Sequence, residues 1–166
     1  TLNREMSLNL DGENHQYKNI PPLPISKGPR FSFYKAPITN ISPYKSITVL
    51  DAWNYITRRY AEERTSTLRS IADKSRARMY KAANFDYATF SGEFTSRSNA
   101  GCVTESGLLC IDFDHVPDVE GLFARLLTDR YFETALLFRS PSGDGLKWII
   151  EINRGQTSHS DYFRAV

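Results

Sequence analysis

The stretch ALLFRSPSGDGLKWIIEI, residues 135–152, decides the fold class. Two apolar runs, ALLFRS at 135–140 and LKWIIEI at 146–152, flank the connection PSGDG. So short and glycine-rich a connection predicts an antiparallel hairpin, because parallel strands need a crossover of a dozen residues or more. Upstream, Asp118 is the expected N-cap of a helix over VEGLFARLLTD, with Leu122, Phe123 and Leu126 toward the sheet. A strand at 107–114 precedes it. The order strand–helix–strand–strand predicts an α+β fold, mostly antiparallel sheet with helices packed on one side.

Further out, YATFSGEF (87–94) reads as sheet with a bend or bulge at Ser91-Gly92. TSRSNAG is a loop, and VTESG leads into the 107–114 strand. From Thr48 to Glu63, Leu50, Trp53, Ile56 and Tyr60 recur at helical spacing, and a second helix is expected over 66–81, with Leu68, Ile71 and Met79 as its apolar side. Residues 1–45 hold six of the eight prolines and predict an extended arm over a domain at 46–166, with short strand character in FSFYKAPI. The opening at Thr1 and a helix capped by Thr157 or Ser158, with Tyr162, Phe163 and Val166 starting its stripe, predict a piece of a longer protein with further domains beyond Val166.

With 166 residues and 40% hydrophobic side chains, the chain can bury a real core. A net charge of +2 does not make the whole molecule a nucleic-acid binder, so any basic surface is local. No apolar run reaches membrane-spanning length and no signal peptide is present, so a soluble, cytoplasmic protein is expected, with no membrane partner. Cys102 and Cys110 lack metal-site spacing and read as reduced thiols.

The candidate chemistry begins in LLCIDFDH, 108–115. On a strand, residues two apart share a face, about 6–7 Å from one another. Asp112 and Asp114 therefore project together, while Ile111 and Phe113 face the core and His115 turns away from the pair. Neighbouring carboxylates resist joint ionisation unless a cation neutralises them. Hard oxygen ligands suit Mg²⁺ or Mn²⁺, and that arrangement serves phosphoryl or nucleotidyl transfer. The plainer alternative is a pair of strand-end or turn-capping carboxylates.

In RSPSGDGLKW, 139–148, Gly143 and Gly145 let backbone amides turn toward one point, Ser140 and Ser142 offer hydroxyls, and Lys147 offers a point charge. This suits a phosphate, although it is not a P-loop and an ordinary hairpin turn would look similar. Between Arg58 and Lys81 there are eight Lys or Arg residues, Arg69, Arg76, Arg78 and Lys81 among them. They are either solvated helix faces or a flank that meets nucleic-acid phosphates.

An Asp-x-Asp strand, a helix and a strand pair with a Ser-Gly-x-Gly turn resembles the archaeo-eukaryotic primase, or prim-pol, superfamily. FDYATFSGEF, SGLLCIDFDH, DRYFETALLFRSPSGDGLKWII and SHSDYFRAV are more closely similar to the N-terminal domain of VirE-like proteins of bacterial mobile elements, over about 45–166. The resemblance implies an RRM-like core and a primase-like nucleotidyltransferase. It makes Asp112 and Asp114 the metal ligands and, with Lys147, the catalytic residues. Ser140, Ser142, Gly143, Gly145 and Lys147 would hold a nucleoside triphosphate, and the partner would be nucleic acid, DNA rather than RNA. Two departures stand out. Lys147 occupies a position where primases carry histidine, and no credible third carboxylate follows, Glu151 being a poor substitute. Hence the alternative of a nucleic-acid-binding or regulatory module without chemistry. DFDHV also matches the D-x-D-x-[TV] motif of haloacid-dehalogenase phosphatases, a weaker reading because no acidic pair follows Lys147.

Overall fold

The computed structural model describes residues 28–153, together with 155, 161, 162 and 164. The end of the expected arm is part of the core. β1 (Arg30–Tyr34) lies between β2 (Lys45–Thr48) and β3 (Tyr87–Thr89) in an antiparallel sheet. Phe31 and Tyr34 on β1 are fully buried. The arm reading is therefore corrected over this stretch, where closely spaced aromatics outweigh the proline signal; residues 1–27 lie outside the described residues.

Three helices follow where the periodicity predicts two. α1 (Val49–Ile56) starts at a capping box, with the Thr48 hydroxyl accepting from the Asp51 amide and the Asp51 carboxylate accepting from the Thr48 amide. α2 (Arg59–Ser70) and α3 (Lys74–Asn84) are separated at Asp73, whose side chain caps α3 by accepting from the Arg76 amide at 2.7 Å. The buried face of α1 also differs from the expected stripe. Leu50 and Trp53 are exposed, whereas Ala52, Val49, Tyr55 and Ile56 pack on the core.

β4 (Gly92–Phe94) and β5 (Cys102–Glu105) form a two-stranded ribbon with an irregular register at Glu93 and Phe94. A side chain at Gly92 would strike the Thr104 carbonyl oxygen, so the ribbon's close approach requires glycine there. The bend read at Ser91-Gly92 separates two strands that pair with different partners.

The central sheet is built from β6 (Leu108–Phe113), β7 (Thr134–Arg139) and β8 (Leu146–Glu151), in the order β6-β8-β7. β8 is antiparallel to both neighbours, so β6 and β7 run parallel with the hairpin strand between them. Together with α4 (Val119–Leu127) this is a split β-α-β unit, the arrangement of ferredoxin- and RRM-like sheets. Asp118 caps α4 as expected, accepting from the Gly121 amide at 2.9 Å.

The two faces of this sheet carry separate cores. Leu109, Trp148 and Ile150 pack under α4, with Leu122, Phe123 and Leu126 supplied by the helix. Leu108, Leu136 and Ile149 face the other way, meeting Phe31, Phe33, Ile47 and α1. The α+β class holds, with the helix of the unit on one side and the N-terminal sheet and α1 on the other. No helix among the described residues is long and apolar enough to cross a membrane. At the C-terminal end, Tyr162 packs on the α4-side core and donates to the Asn153 carbonyl at 3.0 Å. Thr157, Ser158, Phe163 and Val166, read from the sequence as a helix cap and stripe, lie outside the described residues.

Candidate functional site

Strand pairing sets the site. Asp112 on β6 lies directly opposite Lys147 on β8, and residues opposite one another on neighbouring strands share a face. The Lys147 ammonium donates to Asp112 Oδ2, forming an ion pair between side chains 26% and 46% exposed. One cation that holds the strand-end carboxylate is thus supplied by the chain itself. Asp114 follows the last residue of β6, is exposed, and makes no hydrogen bond or ion pair among the described residues.

The 140–145 turn is pressed against the end of β6. A Cβ on Gly145 would lie 2.3 Å from the Phe113 carbonyl oxygen, and the Val116 amide donates to the Asp144 carbonyl at 2.8 Å. Glycine at 145 is therefore a packing requirement. Gly143 has φ +91°, a conformation open to glycine and strained for other residues. Its amide donates to the Ser140 carbonyl at 2.9 Å and closes the turn, so it is committed internally. Ser140 is buried, its amide donating to the Gly145 carbonyl at 2.8 Å, whereas Ser142 is exposed. Of the two hydroxyls offered by the sequence, Ser142 has the access a ligand needs; Ser140 shapes the turn.

His115 is a surface residue, its side chain 83% exposed. The β6 ladder ends at Phe113 and His115 adopts φ 53°, so the two-residue period sets the direction of neither Asp114 nor His115. Its Nδ1 lies 2.8 Å from Asp144 Oδ2. That hydrogen bond holds the Asp144 carboxyl below its ordinary value.

The basic helices divide by role. Arg69 donates from Nε to the Pro141 carbonyl at 3.1 Å and from Nη2 to the Ser140 carbonyl at 3.4 Å, fastening α2 to the turn. It touches the site through the turn's backbone, a contact that sequence spacing could not reveal. Arg59 pairs with Glu63 on its own helix. Arg76 and Arg78 are both exposed to solvent, and Arg78 and Lys81 also border the cavity between the helices and the central sheet, as do Arg69 and Lys147.

A second carboxylate centre carries no sequence signal of its own. Asp86, whose side chain is 2% exposed, accepts from the Ala36 amide at 2.7 Å, the Tyr55 hydroxyl at 2.8 Å and the Lys35 ammonium at 3.2 Å. Burial alone would raise this carboxyl, but those donors outweigh it and hold it below the usual range. Tyr55 is pushed up by burial and by Asp86. Cys102 and Cys110 are free thiols, and burial raises Cys110 to about 11, far from a reactive thiolate.

Metal fit rests on the donor set. Asp112 and Asp114 offer hard oxygens to Mg²⁺ or Mn²⁺, with open solvent for completing waters. Lys147 already engages one of these carboxylates and would have to share it. Among the described residues, no group of three or more His, Cys, Asp or Glu converges into a metal-holding cluster.

The model of the BT4734-like N-terminal domain family matches residues 79–164, just over half of the 166-residue chain. The chain belongs to that family. The BT4734-like family is related to VirE N-terminal domains, and its match here spans the second half of α3, the ribbon, the whole split β-α-β unit and the Asp112–Lys147 pair. No curated protein and no solved structure matches this BT4734-like chain.

Proposed function

We propose that this BT4734-like domain is a prim-pol-type nucleotide-binding domain, serving nucleotidyl transfer on DNA in a cytoplasmic mobile-element replication protein. The observation that carries the proposal is the register of β6 on β8. It sets Asp112 against Lys147 beside the Ser-Gly-Asp-Gly turn, and the exposed Asp114 follows where the β6 ladder ends. Asp112 and Asp114 would hold Mg²⁺ or Mn²⁺, which when bound supplies Lewis acidity at a phosphate. Lys147 would pass from Asp112 to a triphosphate oxygen. The exposed Ser142 hydroxyl would donate to the same group. Arg69 keeps the turn in place, and Arg76, Arg78 and Lys81 would contact nucleic-acid phosphates.

A second reading keeps the binding and omits the chemistry. Lys147 already neutralises Asp112, and the acidic pair has no third carboxylate beside it among the described residues. Both features suit a module that binds phosphates and leaves catalysis to a partner.

One experiment separates the two. Primer synthesis with Mn²⁺ is measured on the natural full-length protein, beside the Asp112→Asn/Asp114→Asn variant, and nucleotide binding is measured on both. Synthesis lost in the variant supports nucleotidyl transfer. Binding without synthesis in either protein supports the binding module, and absence of both defeats the proposal.

A further inference from the structure

The central-sheet face opposite α4 does not close fully against the helices above it. A cavity of about 880 Å³ remains, within the size range of small-molecule sites. Its lining is largely apolar and aromatic, including Phe33, Phe85, Phe90 and Phe138. Pro141 and Lys147 belong to the same lining, so the cavity adjoins the candidate phosphate turn.

The polar groups facing this space are unevenly satisfied. Arg78 and Lys81 sit one turn apart on α3 and make no side-chain hydrogen bond or ion pair among the described residues. Asp86 also lines the cavity, but Ala36, Lys35 and Tyr55 already occupy its oxygens. Glu62 is the other lining carboxylate, and no ion pair joins it to either cation. An apolar, aromatic chamber that holds unpaired cations and adjoins the phosphate turn suits a flat body carrying an anionic tail. Inorganic phosphate would leave the chamber unfilled.

We infer that this cavity receives the base and sugar of the nucleotide whose phosphates lie at the 140–147 turn. The inference rests on the phosphate-binding reading of that turn. The base packs among the aromatic side chains, and Arg78 and Lys81 add positive potential to the cavity.

Calorimetric binding of inorganic triphosphate and of the four deoxynucleoside triphosphates tests this. At least one nucleotide should bind about tenfold or more tightly than inorganic triphosphate, the scale set by base stacking on aromatic side chains. Ala61→Phe, which fills the cavity from α2, should shrink that nucleotide-over-triphosphate ratio toward unity. Ala82→Phe, which fills the cavity from α3, should act in the same direction and covers the case in which the α2 substitution disturbs folding. Equal affinity of the wild-type protein for nucleotides and inorganic triphosphate overturns the inference while the phosphate turn stands. Failure to bind inorganic triphosphate and nucleotides alike overturns both.

Discussion

Asp86 and Asp112 each meet a lysine, yet the two carboxylates are built for opposite purposes. Asp86 is sealed between the N-terminal sheet and the helices, with a backbone amide, a phenol and an ammonium all donating to it. Asp112 stands at an exposed strand end, and its one ion-pair partner among the described residues is the cross-strand Lys147. Saturation and burial make the first a fastening between distant segments. Partial exposure and a replaceable partner leave the second free to exchange its cation for a ligand.

The sharpest break of this contrast is Asp86→Ala. Removing the carboxylate leaves the Lys35 ammonium, the Tyr55 hydroxyl and the Ala36 amide without their shared acceptor. The expected loss is about 3–5 kcal/mol, the range for breaking a buried pair by removing one member. Urea unfolding measures it. A loss below about 1 kcal/mol would place Asp86 with ordinary surface carboxylates.

Acid titration sharpens the same point. Because the folded state lowers the Asp86 carboxyl, its stabilisation is complete above the unfolded value, about 3.9, and is lost as pH falls through the folded one. Asp86→Asn should flatten this acid limb of the stability curve. An unchanged limb would assign the acid sensitivity to other groups.

Lys147→Ala should act mainly on binding. With the ammonium gone, nucleotide affinity should fall by about 1–3 kcal/mol, the scale of losing a charged hydrogen-bond partner. Undiminished affinity would remove Lys147 from the site. A smaller effect is expected at the basic helices: Arg76→Glu with Arg78→Glu should lower the salt slope of single-strand binding by about 0.7 for each phosphate the arginines no longer neutralise. An unchanged slope would leave those arginines as solvated surface.

The contrast between the two carboxylates also explains what could be read from the sequence. The strands that carry Asp112 and Lys147 were legible because a short hairpin and an Asp cap are local signals, and both recur in the fold, whereas the cross-strand pairing of Asp112 with Lys147 depends on register and was not. Asp86 was invisible to such rules. It sits between α3 and β3 with no period of its own, and its partners Tyr55, Ala36 and Lys35 are 31, 50 and 51 residues away. The break between α2 and α3 was hidden for a different reason, since neither glycine nor proline marks it and the cap is a lone Asp73 within a basic run. The His115–Asp144 hydrogen bond escaped because it joins the end of β6 to a turn 29 residues away, past the last paired residue of the strand. The cavity, finally, arises where helices and sheet meet imperfectly, which is a property of packing and has no sequence period.

The smallest effect is the most discriminating. If Asp112 and Lys147 form an exchangeable pair, their contribution to stability should be slight despite direct contact. Both side chains reach solvent, so water and ions screen the attraction, and ordering a long lysine chain offsets part of the gain. A double-mutant cycle with Asp112→Ala, Lys147→Ala and the double variant should give a coupling of about 0.2–1 kcal/mol. That coupling should shrink between 0.1 M and 1 M salt, as the screening length falls from about 10 Å to about 3 Å. The Asp86–Lys35 pair, measured in the same way, should keep most of its larger coupling, because its carboxylate is shielded from solvent. A salt-insensitive coupling above about 2 kcal/mol at Asp112 would make that pair a fastening like Asp86. Lys147 would then be too firmly held to pass to a phosphate, and the proposed exchange would fail at its first step.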